Sequence, residues 1–532
     1  MVRNVETQEV ALTRAGAMSK SVGAHSNGRH LRLPFPVALA ASVLAGAALD
    51  LAYPQVGWWP LAFVSVAVAL WTLVGRSLPS AFLISVAFGA AFFLFHLSWV
   101  STFLGPLPWV ALAGLQSILF GAGGLLITLA YRHGRHLRRL SGILLPAWVA
   151  GLWVLRESVM GSWPYGGFPW ARTGLVLVDS PFVETASWLG TTGLSFLLVF
   201  TCASVLEVAL RRRWQLIIAP AAVLLVMLVI PLFPTQATGN LRLGWVQANG
   251  PSGYFDHKAP GDILIAQLDA TEPLLGQDMD VLVWPEGSVD ADPLNDTPAA
   301  ARLDRVVKAT GAELLVNAAT TRGTQTFNTS LLWNSRGADQ LYDKAHPVPF
   351  GEYVPDRWFF EKLAPDLLRL IQREYTPGSN PPTMDLAKAR IGLAICFDVI
   401  YDDVIRDGAL SGAELYVFQT NNGDFRGTDE NLQQLAIARM RAIETGRTVA
   451  NVSTTGTSQI ISKDGTTISE LGENTTGARI SEVTLNTGIT AAVLLMPWIA
   501  PVLGALSILG FAAVRLAPTL LSHTTLKDRR AR

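Results

Sequence analysis

The chain has 532 residues, of which 50% are hydrophobic and only 15% charged, with a mean hydropathy of +0.34. Soluble domains carry about a quarter charged residues, so much of this chain must face something other than water. Its formal net charge of zero excludes a global basic field for nucleic acid, and no nucleic-acid partner is expected.

Residues 1–33 are polar, weakly basic and without apolar periodicity, which reads as a disordered cytoplasmic tail. Apolar stretches follow at roughly 35–53, 56–74, 80–100, 107–131, 142–160, 184–210 and 214–233, with an eighth at about 488–515. Each approaches the ~20 residues needed to cross a ~30 Å hydrocarbon core, where the backbone must bond to itself. Eight transmembrane helices are therefore expected. Cationic residues collect in alternate connections: Arg76; Arg132, Arg135, Arg138 and Arg139; Arg211, Arg212 and Arg213; then Lys527, Arg529, Arg530 and Arg532. The positive-inside rule places both termini in the cytoplasm and the block between spans seven and eight outside. A cleaved signal peptide is the alternative for the first span, but the polar tail is long for one, and cleavage would not move the later loops. The resulting division is a tail 1–33, a membrane domain 34–237, an extracytoplasmic domain 238–486, an eighth transmembrane helix 487–517 and a cytoplasmic basic tail 518–532.

Trp58, Trp59, Trp99, Trp109, Trp163 and Trp170 lie near span ends and read first as an interfacial aromatic belt, with Trp163–Trp170 as a candidate lipid access region. Arg156 and Glu157, near the outer end of the fifth span, are either interfacial or functional. His96 reads as a satisfied bundle residue.

Residues 238–486 differ in kind. Short apolar runs at Leu241–Val246, Asp280–Trp284, Glu313–Asn317, Ile391–Ile395 and Glu414–Gln419 alternate with helical patterns at 297–310 and 430–445. This is the pattern of a buried α/β core.

Three segments here place a reactive side chain past an apolar strand: VLVWPEGS with Glu286, LYDKAHPVPFGEYVP with Lys344 and then Glu352, and GLAICFDVIYDD with Cys396. Taken singly, these are a solvated carboxylate, a solvated lysine and an inert thiol; His346 likewise reads as a solvated loop residue. Together they supply thiol acyl transfer: a thiol that attacks as thiolate, a carboxylate to take its proton, and an ammonium to stabilise an oxyanion. The only other cysteine, Cys202, lies in an apolar run. No disulfide is expected, and neither a metal nor another cofactor.

The motifs WPE, K…VPFGEYVP and strand-terminal CFD resemble the Glu–Lys–Cys triad of the nitrilase superfamily. VPFGEYVP, GFPW at 167–170, NNGDF at 421–425 and RMRAIETGR at 439–447 are similar to its membrane-bound branch, apolipoprotein N-acyltransferase. The resemblance covers the chain from about residue 35 onward. It implies a polytopic α-helical bundle of eight spans plus an αββα sandwich, in a bacterial cytoplasmic membrane. It also implies Glu286 as general base, Cys396 as nucleophile, Lys344 with the backbone N–H of Phe397 as oxyanion donors, and Glu352 as a supporting carboxylate. Asp398 stands where the family more often has Glu, and Phe397 where it often has Tyr. Trp170, Tyr254, Tyr353 and Asn421 are candidate substrate contacts, although Tyr254 and Asp424 occupy places where the family tends to have Trp. The implied partners are a membrane phospholipid as acyl donor and diacylglyceryl-prolipoproteins as acceptors, with the enzyme a monomer. Related actinobacterial enzymes work beside, or are fused to, a polyprenol-phosphate mannosyltransferase; contact with one is a further partner that the resemblance admits. Two other readings compete. One is a membrane-tethered amidase or nitrile hydrolase with water as acceptor, which would need no multi-span frame. The other is a transporter or scaffold, against which stands the sparse charge within the spans.

Overall fold

The computed structural model describes residues 32–134 and 141–530. The tail up to residue 31, Arg135, Arg138, Arg139 and Arg532 lie outside the described residues.

Apolar helices occupy the eight expected stretches: Phe35–Asp50, Pro60–Leu73, Leu78–His96, Pro106–Gly134, Ser141–Met160, Ala186–Arg211, Ile218–Val229 and Ala491–Arg530. Among the described residues, five stretches are long and apolar enough to cross a membrane: Leu78–His96, Pro106–Gly134, Gly142–Met160, Val183–Arg211 and Ala491–Ala513. Phe35–Asp50, Pro60–Leu73 and Trp214–Val229 are shorter. The first is cut short by turns that close on Asp50 and Tyr53 before Gly57 at φ 76°. Pro60 then starts the second helix, at a position where its missing N–H leaves no bond unmade. The last helix runs unbroken to Arg530.

Small residues let these helices approach closely. A Cβ on Gly124 would fall 1.9 Å from Ser85 Oγ, and one on Gly89 would fall 3.0 Å from the Ser117 backbone. Ser42 Oγ donates to the Ile84 carbonyl and Ser65 Oγ to that of Ala45, across helices. His96 is satisfied on one side only: Nδ1 lies 3.0 Å from Asp50 Oδ1 and the ring stacks on Phe92, while Nε2 is buried without a hydrogen-bond partner. Arg156 is internal rather than interfacial: its guanidinium lies 4.1 Å from the Phe120 ring centre, 4.5 Å from that of Trp153, and 3.4 Å from Glu157.

The inserted block forms two six-stranded sheets. The first has the order β12-β1-β2-β3-β4-β5, from Gly477–Thr487, Gln236–Gln247, Val281–Val283, Glu313–Arg322, Gln325–Asn334 and Gly337–Asp343. The second has the order β11-β10-β9-β8-β7-β6, from Thr467–Leu471, Ser458–Ile461, Val449–Ser453, Leu415–Thr420, Arg390–Ile395 and Thr383–Asp385. β1, β2 and β3 run parallel, as do β7, β8 and β9; the outer strands pair antiparallel. The facing sides share one core, in which Leu243, Trp245, Val283 and Leu315 meet Ile391, Leu393, Val417 and Val452. Helices Asp262–Thr271 and Thr297–Thr310 cover the outer side of the first sheet through Leu264, Leu303 and Val306.

The helices on the second sheet, Asp402–Leu410 and Glu430–Thr445, serve two neighbours. Ile405, Ala409, Met440 and Ile443 belong to a single core that includes Tyr416 and Phe418 of the sheet and also the apolar helical bundle. Buried ionic contacts lock this layer. Arg441 lies 2.8 Å from Asp402 and 2.7 Å from Glu444, and donates to the Val399 and Ile400 carbonyls. Arg172, from the bundle, meets Asp402 at 2.7 Å. Gly190, at φ 66°, breaks the Ala186–Arg211 helix, and the Glu444 carboxylate accepts from the backbone N–H and hydroxyl of Thr191 just after the break.

Removing one partner of a buried ion pair strands the other charge, at a cost of about 3–5 kcal/mol. R441M should therefore lower the unfolding temperature of the detergent-purified protein markedly. Adding E444Q should recover part of the loss; equal melting of R441M and wild type would show that the network is dispensable.

Candidate active site

Three strand ends converge. β2 ends at Val283, and Pro285 after Trp284 stops further pairing, which delivers Glu286. β5 ends at Asp343 and delivers Lys344; β7 ends at Ile395 and delivers Cys396. Cys396 opens a 3-10 turn, Cys396–Ile400, with its own backbone at φ 48°. Left-handed backbone is strained for a side chain of this kind and persists only where its surroundings hold it.

The surroundings are polar and complete. Lys344 is 1% exposed, and its Nζ lies 2.8 Å from Glu352 Oε2 and 3.5 Å from Glu286 Oε1. Asn328 Nδ2 donates to both carboxylates, at 2.8 Å to Glu286 and 3.1 Å to Glu352. Asn317 Nδ2 donates to Asn328 Oδ1, and its own Oδ1 accepts from the Gly287 N–H. Thr454 Oγ1 donates to the Glu286 carbonyl. The Cys396 thiol pulls the Glu286 pKa down, and the Glu286 carboxylate pushes that of the thiol up. Gln434 Nε2 approaches Cys396 Sγ from the other side, at 3.5 Å.

The charges are set by these contacts. Burial raises the Glu286 pKa, against the pull of Lys344, with Glu352 adding to the rise. Burial raises the Cys396 thiol well above its usual value, Glu286 raises it further, and Lys344 opposes both. Burial works against the Lys344 ammonium, but Glu352 and Glu286 outweigh it and hold the group protonated. The resting arrangement is a neutral thiol beside a proton acceptor and a permanent cation.

Asp398 ties two of the strand ends together. Its carboxylate accepts from the Tyr342 hydroxyl on β5, from the His346 backbone N–H, and from the Ile395 backbone N–H on β7. His346 is no solvated loop residue. Its Nε2 lies 2.9 Å from Asp403 Oδ2, and its ring stacks on Tyr401 at 3.9 Å. Burial opposes the charged ring, but Asp403 outweighs it and raises the pKa.

The other candidates take outer positions. Phe397 packs its ring against Phe168, Trp170 and Tyr401. Trp170 is 2% exposed, so it supports Phe397 from behind, and it donates to Gln433. Asn421 donates to the Ser252 carbonyl and lies next to Gly287. The Tyr254 hydroxyl donates to the Leu370 carbonyl, and the Tyr353 carbonyl accepts from the Phe350 N–H.

Sequence reasoning missed Asn317, Asn328, Gln434 and Glu430. Glu430 is buried, accepts from Asn422 Nδ2 at 2.6 Å, and is pushed up to about 8 by burial and by Glu286, against the Asn422 bond. The available signal for Asn317 was an asparagine closing the apolar run Glu313–Asn317; Asn328 lies in a mixed polar and apolar strand that gave none. Both cysteines are free, and Cys202 is buried in the bundle. Among the described residues, no group of three His, Cys, Asp or Glu side chains is placed to hold a metal ion.

Two families match parts of the chain. Residues 45–204 match the family described as Apolipoprotein N-acyltransferase N-terminal domain, and residues 262–492 match Carbon-nitrogen hydrolase. An apolipoprotein N-acyltransferase of Mycolicibacterium smegmatis is 30% identical over 547 residues, covering 92% of this chain and 88% of that protein. One of Shewanella oneidensis is 27% identical, covering 85% and 91%. A crystal structure of a CN-hydrolase superfamily protein from Xanthomonas campestris aligns with 49% of this chain and 96% of its own, at 20% identity and a TM-score of 0.36. The chain belongs to the apolipoprotein N-acyltransferase family.

Proposed function

We propose that this chain moves an acyl group from a membrane phospholipid to the α-amine of an S-diacylglyceryl-cysteine at a lipoprotein N-terminus, with Cys396 carrying the acyl group as a thioester. The observation that carries this reading is the buried Glu286–Lys344–Cys396 cluster seated on an apolar helical bundle.

In the first half, Glu286 takes the thiol proton as the Cys396 sulfur bonds to the ester carbonyl carbon. The carbonyl electrons move to oxygen, where Lys344 and the backbone N–H of Phe397 hold the charge. Lys344 has three N–H donors; two are directed at Glu352 and Glu286, which leaves one for the oxyanion. Collapse breaks the ester C–O bond, and the departing alkoxide takes the proton from Glu286 to leave as lysophospholipid. In the second half, the neutral amine attacks the thioester carbonyl and gives a proton to Glu286. Collapse breaks the C–S bond, and Glu286 returns the proton to sulfur.

All eight apolar helices span the membrane in this reading, with the shorter three completed by their flanking turns. Both termini are cytoplasmic, and residues 238–486 stand outside as the catalytic domain between a membrane domain 34–237 and a final helix 487–517. Both substrates keep their chains in the bilayer, so a nucleophile at its surface turns a search in three dimensions into a local one.

A C396A protein should fold but carry no acyl group. Intact-mass measurement after incubation with phospholipid should show the acyl adduct on wild type alone, and an adduct on C396A would refute the assignment. The base must be ionised to act, so activity should fall as pH drops through the Glu286 pKa. Because that pKa is raised, the acid limb of kcat/KM should lie above the ordinary carboxylate range, and an E286Q protein should lose the limb with its activity. A reporter active only outside the cytoplasm should give signal when fused after residue 237 and none after residue 213; signal at 213 would overturn the orientation.

A further inference from the structure

Gln434 has no part in the triad, yet its side chain touches the reacting atom. Its Nε2 lies 3.5 Å from Cys396 Sγ, and the glutamine itself is 2% exposed beside a half-buried cysteine. The orientation of its amide follows from its neighbours. The Gly456 N–H donates to Ser453 Oγ, whose hydroxyl then donates to Asn422 Oδ1. That fixes the Asn422 nitrogen toward Glu430 Oε2, at 2.6 Å, and toward Gln434 Oε1, at 3.1 Å. With its oxygen engaged by a donor, Gln434 must present its nitrogen to the sulfur. Gly456 is required for this chain of bonds, since a Cβ there would fall 2.3 Å from Asn422 Oδ1.

The electrostatic setting gives the contact a task. Glu286, Glu430 and Glu352 all oppose negative charge on the sulfur, and Lys344 favours it. A hydrogen bond to the charged form stabilises it. We propose that Gln434 is a fourth catalytic residue, whose side-chain N–H supports the Cys396 sulfur as it becomes thiolate, both when it attacks and when it leaves. Asn422 is the positioning residue that orients it. This inference rests on Cys396 being the acyl carrier.

The adjacent residue anchors the same helical turn to the bundle. Gln433 Oε1 accepts from the indole N–H of Trp99, at 3.1 Å, and of Trp170, at 2.7 Å, while its Nε2 donates to the His96 carbonyl. One glutamine thus grips the apolar helices and the next one faces the sulfur.

The test uses the full chain in detergent. Alkylation of Cys396 by iodoacetamide is followed across pH by peptide mass mapping, alongside the unfolding temperature. Q434M keeps the length of the side chain and removes the donor. It should shift the midpoint of the alkylation curve upward and slow alkylation at neutral pH by about tenfold. Q434H should restore the curve, because an imidazole holds an N–H and an acceptor nitrogen about as far apart as the two ends of the amide. A purely structural role would lower the unfolding temperature and leave the midpoint in place, and that result overturns the proposal. Should Q434M not fold, Q434L carries the same measurement. If wild-type Cys396 takes no acyl group from phospholipid, the acyl-carrier reading itself fails, whatever the Q434M curve shows.

Discussion

An ammonium group with almost no contact with water must be neutralised where it stands, and Lys344 is that group here. It sits between Glu352 and Glu286, two carboxylates that would repel each other without it. Asn328 answers the same problem from the other side by giving N–H bonds to both. The requirement fixes three strands relative to one another, because Glu286 follows β2, Asn328 lies within β4 and Lys344 follows β5. A buried charge that loses its partner costs several kcal/mol, so the cluster has one arrangement rather than many. The sulfur inherits that fixity. It sees a cation that cannot wander and a carboxylate held in place by Asn328.

The second sheet is joined to this cluster through Asp398. From within the turn that Cys396 opens, its short carboxylate reaches donors on β5, in the Lys344 loop and on β7. The family more often has the longer carboxylate at this place, but the closeness of the turn to β5 makes Asp long enough. The strained backbone of Cys396 is therefore braced on both sides, by the hydrogen bonds of Asp398 and by the ring of Phe397 against Trp170. The energetic source of that brace lies partly in the bundle. Trp170 is held by Gln433, and Arg172 by Asp402, so the helices meant for lipid also complete the support of the reactive turn.

The strand ends were legible because they obey simple rules. Continuous apolar runs such as Ile391–Ile395 are buried on both faces, and a reactive side chain just beyond one stands out. The apolar helices before residue 230 and the one that starts at Ala491 were legible for a similar reason, since only helices satisfy the backbone in long apolar stretches. β4 to β6 and β9 to β12 were not read, because strands like Gln325–Asn334 mix polar and apolar residues without clean alternation. The helper residues were hidden for a related cause. Glu430, Gln433 and Gln434 look like the wet face of an amphipathic helix, yet almost every residue of Glu430–Thr445 is buried between sheet and bundle. A sequence window cannot reveal a second partner that arrives from residues 96–191, hundreds of positions away. His346 was misread in the same way: Asp403 and Tyr401, which cover it, come from a segment past the next two strands.

The same triad can serve hydrolysis or transfer, and the difference lies in what reaches the thioester. Chemistry at the sulfur needs only a nucleophile that can give a proton to Glu286, and water would do. The wall beside the sulfur narrows that choice. Phe397 lies next to it in the chain, with Phe168, Trp170 and Tyr401 packed around that ring, and Phe168 and Trp170 come from the apolar helical region itself. Of these rings only Phe168 is partly exposed, and beside it an acyl chain would gain dispersion contacts that water could not. This favours an acceptor that brings its own hydrocarbon, so that binding energy remote from the amine holds the amine at the carbonyl. Selectivity for transfer then needs no additional group at the reacting atoms. It follows from building the nucleophile's turn on helices whose other neighbour is lipid.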